Sequence, residues 1–134
     1  MIYTGYFAKL KEYLSKDLLP VSVARFSPKW YTGLEYKPLA PTSDILEQYK
    51  KNLISKSEYA SRYYEHINSI KEFYDVHADL EKLTKKDVIL LCYERPEDFC
   101  HRHLLANWQN EIKPGSCSGE YGTIRGMSWI TLYA

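Results

Sequence analysis

Apolar positions change their spacing along this chain, and the changes mark its elements. The densest run is residues 88–93, Val-Ile-Leu-Leu-Cys-Tyr. It is continuous, partly β-branched and short, which predicts a buried strand. A polar loop containing Pro96 follows, and then Leu104, Leu105 and Trp108 recur at helical intervals. That spacing predicts a helix from Cys100 to about Ile112, ended by Pro114-Gly115. Residues 1–7 are rich in β-formers and predict a first strand, in which Gly5 suggests close backbone approach. Leu10 and Leu14 lie four apart and predict a short helix over residues 9–14. Residues 18–26 predict a second strand. In it Val21 and Val23 share one face, Ser22 and Ala24 the other, and Pro20 sits near the start, where its missing donor costs least.

Between the second strand and residue 42 the pattern dissolves. Residues 27–42 hold Pro28, Gly33, Pro38 and Pro41 with Trp30, Tyr31 and Tyr36, and they read as an ordered loop. Such a loop either covers a ligand or packs its aromatic rings over the sheet edge. Thr42, Ser43 or Asp44 caps a helix reaching about Lys51. Ser55, with Glu58 three residues on, caps a longer one. Along the latter, Tyr59, Arg62, Tyr63, His66, Ile67 and Ile70 form a stripe that could face a ligand but reads more simply as core with a solvated margin. Residues 73–83 predict a weak helix or turn, and residues 116–122 (SCSGEYG) a flexible linker. Residues 123–133 predict a last strand or an extended tail.

Strands alternating with helices over 134 residues predict one domain with a mostly parallel sheet. The carboxyl ends of such strands are where ligands bind. That rule would gather Arg25, Cys92 and Glu94 on one edge, together with Cys100, His101 and Arg102 at a helix start. Cys100 is then the candidate nucleophile, because a helix N-terminus favours a thiolate. Glu94 is the candidate base. His101 is a further catalytic candidate, and Cys92 is either catalytic or a small core residue. Arg25 and Arg102 with the helix N-terminus would hold an anion, while Trp30, Tyr31 and Tyr36 would stack a planar group.

Composition narrows the function classes. The 18 basic and 17 acidic side chains nearly cancel, so no global basic face marks the chain for nucleic acid. Thirteen tyrosines suit either half-buried rim positions or an aromatic binding surface. Three cysteines, no leader-like start and no membrane-length apolar segment predict a reduced, cytoplasmic protein that does not engage a membrane. Cys92, Cys100, His101 and His103 are a possible zinc ligand set, but the spacing is not that of a ribbon or finger, so zinc is disfavoured without being excluded and the cofactor stays unassigned. Phosphate-loop and dinucleotide-binding glycine motifs are absent.

Two stretches carry a family resemblance. Residues 92–104 (CYERPEDFCHRHL) resemble the Cys-Tyr-Glu…Cys-His-Arg signature of the DUF488 family. Residues 20–31 (PVSVARFSPKWY) resemble its strand ending in an arginine followed by a proline-containing loop, and residues 36–41 (YKPLAP) its compact branch. Ile2-Tyr3-Thr4 fits its first strand, and the likeness covers most of residues 1–112, while residues 116–134 depart from it. The resemblance implies a three-layer Rossmann-like α/β domain spanning residues 1–134, with a site at Arg25, Cys92, Glu94, Cys100, His101 and Arg102. The combined expectation is an enzyme or binding domain for a phosphate-bearing small molecule, such as a nucleotide or nucleobase derivative. The alternatives are a nucleic-acid-binding accessory protein and a non-catalytic interaction protein.

Overall fold

Elements appear along the chain as β1 (Ile2–Tyr6), α1 (Leu10–Ser15), β2 (Leu19–Ser22), β3 (Leu34–Glu35), α2 (Ser43–Lys50), α3 (Lys56–Ile70), α4 (Val76–Leu83), β4 (Val88–Cys92), α5 (His101–Ile112) and β5 (Cys117–Glu120). This computed structural model describes residues 1–71, 73–95 and 98–121; the last strand or tail expected at 123–133 lies outside them. Every strand pair is parallel, in the order β3-β2-β4-β1-β5. Helices cover both faces, giving the three-layer Rossmann-like fold. No helix among the described residues is long and apolar enough to cross a membrane.

β4 lies at the centre, which explains its unbroken apolar sequence: both of its faces are covered. Val88 and Leu90 join a core with Val21, Val23, Tyr63 and Ile67 on the face of α3 and α5. Ile89, Leu91 and Cys92 join a smaller core with Phe7, Tyr13 and Tyr31 on the α1 face. Gly5 is a true close approach. A Cβ there would stand 2.7 Å from both Ile89 and the ring of Tyr13, whose hydroxyl accepts the Tyr6 N–H at 3.2 Å.

Pro20 is tolerated inside a paired strand because of register. Leu19 and Val23 donate their N–H groups to Asp87 and Leu91 on the β4 side. Pro20, at the alternate position, turns its missing donor toward the β3 side, where pairing begins only at Val21. The expected strand over residues 18–26 is regular only as far as Ser22, so Arg25 sits just beyond its end.

The helix starts follow their caps: Thr42 accepts from Ile45 N–H, Ser55 from Glu58 N–H and Asp75 from Ala78 N–H. The stripe on α3 is core with a margin, for Tyr59, Tyr63 and Ile67 are buried while Arg62 and His66 are half-buried.

Residues 116–122 correct the linker expectation, because most of them form β5, the edge strand beside β1. Main-chain bonds hold it despite its turn-like composition: Ile2 N–H donates to Ser116 O and Tyr121 N–H to Thr4 O. Asn110 grips Cys117 from α5 through both its amide nitrogen and its oxygen. Cys117 is buried in this contact.

Candidate functional site

The chain leaves β2 toward β3 at one side of the sheet, and leaves β4 through α5 toward β5 at the other. Their carboxyl ends therefore diverge, and a crevice opens between them, as at other switch points of parallel sheets. A cavity of about 350 Å³ lies there. The segment after β2 contributes Ala24, Arg25 and Phe26, and the end of β4 with the residues after it contributes Cys92, Tyr93 and Glu94. Phe99, Cys100 and His101 come from the start of α5, while Pro41, Leu46, Tyr49, Lys50 and Tyr59 close the side formed by α2 and α3.

His101 is the hub. It is buried, and its Nε2 lies 2.7 Å from the carbonyl oxygen of Val23. A carbonyl only accepts, so Nε2 carries the proton and donates. Nδ1 is left facing two sulfurs, Cys92 Sγ at 3.5 Å and Cys100 Sγ at 3.8 Å. Cys92 Sγ also lies 3.7 Å from Glu94 Oε2. Cys100 caps α5 in extended conformation, and its side chain is not spent on a backbone N–H.

The two sulfurs are driven apart electrostatically. Burial and the neighbouring Cys100 push the Cys92 thiol well up. Burial opposes ionisation of Cys100 as well, but the Cys92 thiol, the His101 imidazole and the Arg102 guanidinium together outweigh it and hold Cys100 well down. Cys100 is therefore the more acidic thiol of the pair. Partial burial, and then the charge on Cys100, raise the carboxyl of Glu94, although that side chain reaches solvent at the cavity mouth.

Of the residues expected at the site, Arg25, Cys92, Glu94, Cys100 and His101 meet at this cavity. Arg25 is held by its Nε bond to the carbonyl oxygen of Pro41, 2.8 Å away. Arg102 does not join them. It is wholly buried, with Nε and Nη2 bound to Glu120 at 3.0 and 2.9 Å, and Thr4 donates to the same carboxylate. Its charge reaches Cys100 from behind the cluster rather than through the cavity.

The loop aromatics are also placed elsewhere, and the loop packs its rings over the sheet edge. Tyr31 is buried and donates to Leu34 O at 2.7 Å, Tyr36 donates to Asp79 at 2.6 Å, and exposed Trp30 stands edge-on to Phe7. His103 is buried off the cluster, where burial and then Arg102 push its pKa down to about 4.

The aromatic lining comes instead from Phe26, Tyr49, Tyr59, Tyr93 and Phe99. The α3 stripe hinted at Tyr59; nothing in the local pattern marks Lys50 or Tyr49 as cavity residues.

A family model described as the active DUF488-N3 subclade, DUF488-N3a, matches residues 12–113. Neither a curated protein nor a solved structure matches the chain significantly.

Proposed function

We propose, from the premise that this chain belongs to the DUF488-N3a family, that its cavity takes a phosphate-bearing small molecule, a nucleotide or nucleobase derivative, and acts on it through Cys92, Glu94, Cys100 and His101. One observation carries this reading: a compact cluster of two sulfurs and an imidazole, with the Glu94 carboxylate beside it, opens into a cavity that also holds Arg25 and Lys50. Cysteines kept only for packing need no open cavity and no cations beside them. The volume of about 350 Å³ suits a small ligand.

Each group has a task in this reading. Arg25, with the N-terminus of α5, meets the phosphate. Rings among Tyr49, Tyr93, Phe26 and Phe99 meet a planar group. Cys100 is the electron-pair donor of the centre, and Glu94 gives or takes the proton beside it. The matched subclade is described as active, which agrees with chemistry at this cluster.

Thermal unfolding with AMP, adenosine and inorganic phosphate tests the reading. AMP is expected to raise the Tm more than either fragment, and Arg25→Ala is expected to abolish that gain while leaving the unliganded Tm close to the parent. Equal Tm values with and without AMP and the other nucleoside monophosphates would sink it.

A further inference from the structure

We propose that Cys92, Cys100 and His101 bind one zinc ion whose fourth position faces the cavity beside Glu94. Among the described residues, these three offer ligand atoms that all lie within 4.8 Å of one another.

The distances point to a common centre rather than to a chain of pairs. A tetrahedral zinc has bonds of about 2.3 Å to sulfur and about 2.0–2.1 Å to nitrogen or carboxylate oxygen. Its sulfur–nitrogen and sulfur–oxygen edges are therefore about 3.5–3.6 Å. The sulfur–nitrogen separations here are 3.5 Å (Cys92 Sγ to His101 Nδ1) and 3.8 Å (Cys100 Sγ to His101 Nδ1). Both are close to such an edge, and Cys92 Sγ, which also stands 3.9 Å from Nε2, has to turn toward the Nδ1 lone pair to reach a shared ion. A thiol–imidazole pair alone would explain one of them.

The support behind the ligands points the same way. Metal-bound histidines commonly donate their other ring nitrogen to a carbonyl or carboxylate, which fixes the tautomer. His101 does this to Val23, and the nitrogen it leaves free is the one facing both sulfurs. Two thiolates and an imidazole select a soft or borderline ion over magnesium or calcium. Both thiol protons leave to solvent on binding, so two thiolates balance the charge of the ion. Chain spacing argued against zinc because ribbons and fingers draw paired ligands from turns. Here a strand end and a helix start bring Cys92-x-Glu94 against Cys100-His101, and the pairing is made in space.

Exposed Glu94 stands beside this set, 3.7 Å from Cys92 Sγ, rather than within it. The fourth coordination position is thereby left open to the cavity, as catalytic zinc sites keep one open. Only that last step rests on the cavity being a ligand site; binding of the ion does not.

The test is metal content of the full chain, expressed with zinc supplied and purified without chelator, by native and then denaturing mass spectrometry. Stoichiometric zinc lost on denaturation is expected, and Cys92→Ser, Cys100→Ser and His101→Ala should each abolish it. Glu94→Gln should retain zinc but bind it about tenfold more weakly. Cobalt in place of zinc should give a thiolate-to-cobalt charge-transfer band in the wild-type chain, a readout that needs no variant to fold. Arg25→Ala should keep its zinc even where it loses the AMP response, which separates failure of the two proposals. A wild-type chain that carries no zinc, gives no cobalt band and leaves Cys92 and Cys100 equally open to alkylation with and without added zinc would overturn the site.

Discussion

His101 and Val23 are joined by a 2.7 Å hydrogen bond across 78 positions of sequence. The bond ties the first turn of α5 to the end of β2 and so spans the crevice where those segments part. It also decides which face of the imidazole meets the sulfurs. One side chain thus fixes the geometry of the site and closes the sheet beneath it.

Replacing His101 with Phe would keep the ring volume and leave the buried carbonyl of Val23 without its donor. A loss of about 1–3 kcal/mol is expected, read from urea unfolding in the presence of a chelator so that no metal contributes. Unchanged stability would mean that this bond holds nothing together.

The ion pair of Arg102 and Glu120 is wholly buried, and breaking one side of it should be severe. Glu120→Gln leaves a guanidinium charge without its counter-ion and is expected to cost about 3–5 kcal/mol. Replacing both with Met should recover most of that loss, because no charge is then stranded. The same variants report on the site: without Arg102 the Cys100 thiol should ionise at higher pH, seen as slower iodoacetamide labelling at neutral pH of the metal-free protein. A double variant no more stable than Glu120→Gln would refute the stranded-charge argument.

How far these features could be read beforehand depended on where the partner sits. Residues 88–93 and 100–112 announced a strand and a helix through their own spacing, and the parallel sheet then brought Arg25 to Cys92 as expected. β5 was hidden because Ser-Cys-Ser-Gly-Glu carries a turn composition; what makes it a strand is the exposed edge of β1 and the grip of Asn110. Arg102 was misplaced for the same reason, since its partner Glu120 lies in the segment read as a linker. Tyr31 and Tyr36 read as ligand-stacking residues, but their hydroxyls are committed to Leu34 and Asp79. For β5, Arg102 and Tyr36 the deciding contact is long-range, and local periodicity carries no trace of it, whereas Tyr31 bonds Leu34 only three residues on.

Gly5 gives a test of the packing between α1 and the sheet. Alanine there would meet Tyr13 and Ile89 at 2.7 Å, well inside van der Waals contact, in a strand paired on both sides. Gly5→Ala is expected to cost about 1–3 kcal/mol, and Tyr13→Leu in the same chain should recover part of it by vacating the space. Urea unfolding of the wild type, the two single variants and the double variant decides this; additive losses would show that the tyrosine is not the obstacle.

Tyr13 and Tyr31 make the same face sensitive to alkali. Burial is the main cause that pushes each phenol up to about 12, from 10.0. A raised value means that the unfolded chain surrenders the proton first. Stability from holding these phenols neutral is fully present below about pH 10, declines between about pH 10 and 12, and is gone above the folded value. For Tyr31 the loss has a visible mechanism, because ionisation removes the donor to Leu34 O. Urea unfolding at a series of pH values through this window should show a steeper fall for the wild type than for Tyr13→Phe with Tyr31→Phe, since the phenylalanines have no proton to lose. The comparison cancels the lysines that titrate in the same window. Parallel curves for the two proteins would mean that neither phenol is held neutral by the fold.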